Sequence, residues 1–155
     1  SRGEDLISIK DELLHVRSYL DIQNMRFDNN ITLISEIDES LLHYKIPKII
    51  LQPLVENSIF HGILEKQEPV GAITIKLYSL DDFICFEVID DGIGIPEETL
   101  AKLPSGEYFS DKRGSNYGIK NIYMRLKLLS IENDLIFSSK VGYGTTVKIK
   151  IKKSS

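Results

Sequence analysis

The chain has few of the devices that would assign it quickly. Among 155 residues there is one cysteine, Cys85, which excludes an internal disulfide framework. Cys85 falls in a strand-like stretch and reads as a buried structural thiol. No apolar run is long enough to span a bilayer, and no signal peptide is visible. Basic excess is missing as well. The formal net charge of -4 argues against a general nucleic-acid binder, because phosphate-backbone binding needs a basic surface. The one basic cluster, "KIKIKK" near the C-terminus, reads as the solvent face of an amphipathic strand. Position 1 is not Met, and the start "SRGEDL" suggests a piece of something longer. Any membrane or sensory parts of the parent lie outside it. Hydrophobic content of 42% and charged content of 27% fit one globular domain with a real core.

Periodicity supplies the elements. Ser8 followed by Asp11 is a possible helix cap, and Leu13, Val16, Leu20 and Phe27 continue at helical spacing to about Phe27. Tyr19, Ile22 and Met25 form a second apolar side, which predicts contact with something besides this domain. "ITLISEID" reads as a strand. "IPKIILQPLVENSIFHGILEK" reads as a second helix with Pro47 near its start, while Pro53 either kinks it or marks its true start. "GAITIKLYS" and "FICFEVID" alternate as two strands joined by a turn at Asp81 and Asp82. A long glycine-bearing loop follows, with a short helical piece from about Pro96 to Lys102; a loop of that length is usually functional or mobile. "GIKNIYMRLKLLS" is a third helix, and "DLIFSS" and "TTVKIKIK" close the chain as a hairpin. The order predicts a two-layer α/β sandwich. Its sheet is mixed and largely antiparallel, its helices cover one face, and an N-terminal helix precedes it.

Three glycine motifs and one polar pair stand out. "DDGIG", Asp90 to Gly94, ends a strand; glycines there permit close ligand approach, and the aspartate can accept from an amine. "RGSNYGIKN", Arg113 to Asn121, runs into a helix, whose N-terminus favours phosphate. It is neither a P-loop nor a Rossmann fingerprint. "GYGTT", Gly142 to Thr146, sits in the last hairpin. Each alone reads as an ordinary turn. Glu56 and Asn57 lie side by side in a helix that is apolar on two sides, where a polar pair needs a reason.

Taken in order, these motifs resemble the GHKL ATPase superfamily. "YLDIQNMRF", "IPKIILQPLVENSIFHGI", "VIDDGIGIP", "GIKNIYMRL" and "GYGTTVKI" narrow the resemblance to LytS-type sensor histidine kinases, over about Leu6 to Ile151. The resemblance implies an ATP-binding catalytic domain over residues 29–155. Residues 1–28 would be the C-terminal part of the dimerisation and phosphoacceptor region. Asn57 would hold Mg2+ against the ATP phosphates, and Glu56 would be a general base or an orienting group. Asp90 would bind the adenine amine, with Gly92 and Gly94 admitting the nucleotide and Gly144 and Thr145 lining the adenine side. Gly114, Gly118 and Asn121 belong to the second glycine loop and its helix, near the phosphates, with His61 at the same end. Lys112 and Arg113 are either γ-phosphate contacts or solvated lid charges.

The resemblance also implies partners: an acceptor histidine of the parent kinase, a response regulator, and a second copy in a homodimer. It implies a cytoplasmic domain of a protein anchored in the bacterial inner membrane. None of His15, His43 and His61 has the context of an acceptor, so autophosphorylation of this chain alone is not expected. Two departures stand out. Asn116 replaces the middle glycine of the second loop, and Asp91 follows Asp90 where asparagine is usual. They leave open an alternative, a degenerate nucleotide-binding scaffold without kinase activity.

Overall fold

The computed structural model describes residues 5–28, 30–103 and 115–154, with residues 115–117 by backbone only. In chain order the elements are β1 (Leu6–Ser8), α1 (Ile9–Arg26), β2 (Ile31–Ile37), β3 (Lys45–Pro47), α2 (Gln52–Phe60), β4 (Gly71–Leu80), β5 (Phe83–Asp90), α3 (Glu97–Leu100), α4 (Ser115–Leu129), β6 (Asp134–Lys140) and β7 (Gly144–Lys152). The main sheet runs β2-β4-β5-β7-β6. In it β2 and β4 pair in parallel, while β4 with β5, β5 with β7 and β6 with β7 pair antiparallel. The expected mixed, largely antiparallel sheet is therefore present.

Alternation decides which face of the sheet is covered. Ile73, Ile75 and Leu77 of β4 are buried together with Ile84, Phe86 and Val88 of β5 and Val147, Ile149 and Ile151 of β7. Leu54, Val55 and Ile59 of α2 and Ile119, Ile122 and Leu126 of α4 join them in one hydrophobic cluster. Lys148, Lys150 and Lys152 alternate with the buried β7 residues and stay partly exposed, as the amphipathic reading requires. Cys85 is buried on the outer face, in register with Tyr78 and Lys150, and its burial raises the thiol pKa. It is a free thiol inside the packing.

Helix α1 belongs to the same cluster through Ile9, Val16 and Leu20. The Ser8 hydroxyl caps it, accepting from the Asp11 amide at 3.1 Å. At its far end the Asn24 side chain stands in for a strand partner. It donates to the Ile31 carbonyl at 2.7 Å and accepts from the Ile31 amide at 3.0 Å. Of the second apolar side, Ile22 and Met25 remain exposed.

The second helix differs from expectation. Lys45–Pro47 is not its first turn but a strand, paired antiparallel with Leu6–Ser8. The helix begins at Gln52 with Pro53 in its first turn, where a missing N–H costs nothing. Ile46, Ile50 and Leu51 are fully buried, which gave the stretch its helix-like apolar rhythm. The third helix starts earlier than its sequence pattern predicts. It is already formed at Ser115, so Gly118 lies within it rather than at its start.

Candidate functional site

The ends of β5 and β7 meet the end of α2, and several of the expected residues meet there. Asp90 closes β5 and pairs in register with Thr145 at the start of β7. Both are buried, at 5% and 7% exposure, a rare position for a carboxylate. The Gly92 amide donates to Asp90 Oδ1 at 2.8 Å. Burial pushes the Asp90 carboxyl up to about 6. The Gly92 amide, the Ser58 hydroxyl and the Thr145 backbone work against that rise, and the Asp91 charge adds to it. A carboxyl so placed is ionised at neutral pH and can accept from an amine entering the site.

Glycines make the room. A β-carbon on Gly92 would stand 2.4 Å from the Gly62 α-carbon, so the turn after β5 and the end of α2 touch backbone to backbone. Gly62 in turn spares the Asp90 carboxylate, whose Oδ1 would lie 2.9 Å from a β-carbon there. Gly144 stands at φ +135°, and a side chain on it would strike the Asp90 carbonyl oxygen at 2.0 Å. Gly94 continues the same turn and packs against the Lys140 carbonyl.

Ser139 organises the neighbouring hydroxyls. Its Oγ accepts from the Ile95 amide at 2.8 Å and donates to the Gly144 carbonyl at 2.8 Å. That spends its proton, so Thr145 is the donor in the 2.8 Å contact between the two hydroxyls. The lone pairs of Thr145 Oγ1 are then available as acceptors beside Asp90.

Asn57 is buried on α2 next to Ser58, at 5% exposure. Its Oδ1 has no hydrogen-bond partner among the described residues. Most buried polar atoms are satisfied, and one that is not calls for an explanation. His61 caps the same helix, its amide donating to the Asn57 carbonyl at 2.9 Å, with a half-buried side chain.

Glu56 looks elsewhere. It lines a cleft of about 460 Å³ between α1 and α2, with Tyr19, Gln23, Arg26 and Phe60. Phe60 packs edge-on against Phe27 at the C-cap of α1, with ring centroids 6.0 Å apart. The second apolar side of α2 thus meets α1. Burial, then the nearby Glu56 charge, raise the Tyr19 phenol above its ordinary range.

Asp91 turns away from Asp90. Its exposed carboxylate accepts from the Ala72 amide at 3.0 Å. Gly118 lies against Pro53 of α2, where a β-carbon would stand 3.2 Å from the proline ring. Asn121 is exposed on α4. Lys112, Arg113 and Gly114 lie outside the described residues, as does the side chain of Asn116.

Sequence reasoning passed over Gly62, Ser58 and Ser139. Ser139 left a signal, a polar residue at the inward position after Leu135 and Phe137 in an alternating strand. Gly62 falls inside the stretch that reads as the second helix, and its partner Gly92 is thirty residues away.

The family model described as histidine kinase-, DNA gyrase B- and HSP90-like ATPase matches residues 44–155. Sensor protein LytS of Bacillus anthracis is 35% identical over 149 residues, covering 96% of this chain and 25% of the relative. Sensor histidine kinase YpdA of Escherichia coli K12 is 33% identical over 128 residues, 83% of this chain and 22% of that one. The chain thus spans about a quarter of the length of these curated relatives. Among solved structures, the catalytic domain of histidine kinase ThkA superposes with a TM-score of 0.75 at 19% identity, covering 96% of this chain and 95% of that one. The histidine kinase domain of the Erythrobacter litoralis EL346 blue-light activated kinase gives 0.65 at 16% identity, covering 99% and 65%.

Proposed function

The chain belongs to the histidine kinase-, DNA gyrase B- and HSP90-like ATPases, and from that premise we propose that it is the ATP-binding catalytic domain of a LytS-type sensor histidine kinase. It would transfer the γ-phosphoryl group of ATP to a histidine outside this chain. The observation that carries the reading is Asp90: a buried carboxylate at a strand end, hydrogen-bonded by Gly92, paired with Thr145 and surrounded by glycines that admit a ligand.

In this reading Asp90 accepts from the adenine amine, and the Gly92–Gly94 and Gly144–Thr145 turns flank the base. The orphaned, buried Oδ1 of Asn57 fits a hard cation, which takes oxygen ligands. Among the described residues no group of three or more His, Cys, Asp or Glu could hold a metal. Asn57 would therefore share Mg2+ with phosphate oxygens and water. The ion would supply charge neutralisation at the phosphates, the main need of phosphoryl transfer. The protein's own part is positioning. The bond between the γ-phosphorus and the β,γ-bridging oxygen breaks as a bond to an imidazole nitrogen forms, and the imidazole proton must leave. Glu56 is the candidate to take that proton or to orient the imidazole. His61, Gly118 and Asn121, and the undescribed Lys112, Arg113 and Gly114, are proposed for the phosphate end.

Exposed Ile22 and Met25 support the reading of residues 1–28 as the tail of a dimerisation helix. Among the described residues no helix is long and apolar enough to cross a membrane. Membrane anchoring is proposed for the parent's other parts, and a homodimer and a response regulator as its partners. The exposed Asp91 carboxylate accepts from the Ala72 amide, which supports an outward placement and weakens one of the two arguments for the degenerate-scaffold reading.

Thermal unfolding with ATP, with and without Mg2+, tests the reading. ATP at a hundredfold its dissociation constant should stabilise the fold by about 2.7 kcal/mol. Absence of any shift at millimolar ATP would overturn it.

A further inference from the structure

Helix α2 has no side-chain cap from its own sequence: Leu51 precedes it in helical backbone and bonds nothing there through its side chain. The amides ahead of it go to a carboxylate from α1. Glu12, at 1% exposure, accepts from the Ile49 amide at 3.1 Å through Oε1. Through Oε2 it accepts from Ile50 at 2.9 Å and from Leu51 at 3.1 Å. The carbonyls of the same turn go to a cation from α4. Arg125 donates to the Lys48 carbonyl at 2.7 Å and to the Ile49 carbonyl at 3.4 Å. One turn of backbone is thus held by an anion on one helix and a cation on another. Hydrogen bonds to charged groups are the stronger kind.

The turn needs holding. Ile49 stands at φ +60°, a costly conformation for a β-branched residue. Such strain persists where the surroundings over-determine it, and it clusters at functional sites. Immediately beyond lies Pro53, against Gly118 of α4, and one helical turn further lies Asn57. The placement of residues 48–51 therefore sets the axis and rotation of α2, and with them the direction of the Asn57 side chain. The adenine end is built separately, by the turns after β5 and before β7.

We propose that Glu12 and Arg125 are positioning residues for the phosphate end of the nucleotide site, acting through the 48–51 turn to aim Asn57. This rests on the nucleotide reading above. A clamp that served only stability would change the melting temperature without changing which part of the nucleotide is felt.

The test compares adenosine with Mg-ATP. Dissociation constants for both are measured by NMR titration, well below the melting temperature, for the parent chain, Arg125→Gln, Arg125→Lys and Glu12→Gln. Glu12→Gln sets an amide donor against a backbone donor. Arg125→Gln is expected to weaken Mg-ATP at least fivefold while adenosine changes less than twofold. Arg125→Lys, which keeps a cationic donor, should recover most of the loss. Glu12→Gln should follow Arg125→Gln; should it fail to fold, the two arginine variants carry the test. Equal weakening of both ligands, or no change in either, overturns the proposal. A parent chain that binds neither ligand overturns the nucleotide reading first, an outcome distinct from those two.

Discussion

The backbones of Gly62 and Gly92 touch: a β-carbon on Gly92 would stand 2.3 Å from the Gly62 carbonyl carbon and 2.7 Å from its oxygen. The Ile93 amide donates to that same oxygen at 3.2 Å. The contact pins the turn that carries Asp90 to the helix that carries Asn57. Gly92→Ala must force the two segments apart. Overpacking of this kind costs about 1–3 kcal/mol, and here it also spreads the site. Urea unfolding should show that loss, and calorimetry should show ATP binding weakened by more than tenfold. Retention of both stability and affinity would mean that the contact yields easily and does not define the site.

Asp90 ties the site to pH, with opposite signs for stability and binding. Its carboxyl is raised from 3.8 to about 6, so the folded state holds the proton more tightly than the unfolded chain. The stability it contributes is therefore full below pH 3.8 and is lost as pH rises through about 6. At about 1.4 kcal/mol per unit, the total is on the order of 3 kcal/mol. Asp90→Asn should flatten this slope between pH 4 and pH 6 and stabilise the ligand-free protein at pH 7.5. Binding runs the other way, because the ionised form is the better acceptor. ATP affinity of the parent should fall as pH drops below about 6. A stability profile that is unchanged in Asp90→Asn would show that another group titrates there.

Asn57 should separate folding from function. A buried acceptor without a partner costs about 1–3 kcal/mol of desolvation, so its removal forfeits little that the fold needs. Asn57→Ala is expected to unfold within about 1 kcal/mol of the parent when no ligand is present. It should also lose the enhancement of ATP binding by Mg2+. Unchanged Mg2+ dependence would remove the metal role, and a large loss of stability would show that Oδ1 is satisfied in solution.

What the sequence reveals of this molecule follows the range of the interactions. The strands and their turns were legible because alternation is local, and the Asp90–Thr145 pairing follows once both strands are found. The start of α2 was half legible: Pro53 marks it, one of the two readings that proline leaves open. Pro47 and the isoleucines around it imitate a first helical turn, and the true partner of that stretch, Leu6–Ser8, lies some forty residues upstream. Glu12 hides for the same reason: at helical spacing it is simply a polar residue in an amphipathic helix, yet it is buried against amides of another segment. Glu56 and Asn57 stand out in the sequence as adjacent polar residues in an apolar helix. One helical step of rotation, however, sends Glu56 toward α1 while Asn57 is buried on α2 next to Ser58.

Ile49 offers a test of stored strain. A left-handed conformation costs an ordinary residue about 1–2 kcal/mol, more than asparagine, which visits that region readily. The Ile49 side chain is half exposed, so little packing is lost on replacement. Ile49→Asn should match or exceed the parent in thermal stability, by up to about 1 kcal/mol. A clear loss of stability would show that the isoleucine side chain contributes more than its backbone geometry costs.

The separation of Glu56 from Asp90 makes binding and chemistry independently measurable. Glu56 sits in the α1–α2 cleft close enough to Tyr19 to raise its phenol, with Arg26 on the rim. Glu56→Gln keeps the shape and hydrogen-bonding reach of the side chain but cannot take a proton. If the carboxylate is the base, Mg-ATP affinity should change less than twofold. Single-turnover transfer to the acceptor histidine, in a longer chain that carries it, should fall by about 10²–10⁴. Tyr19→Phe separates the two roles left to the carboxylate. It removes the hydroxyl beside Glu56 and leaves the charge, so an unchanged transfer rate favours a base, whereas a loss equal to that of Glu56→Gln favours an orienting pair. Weakened Mg-ATP binding with an unchanged transfer rate in Glu56→Gln would sink both roles and leave Glu56 as a residue that only shapes the start of the site.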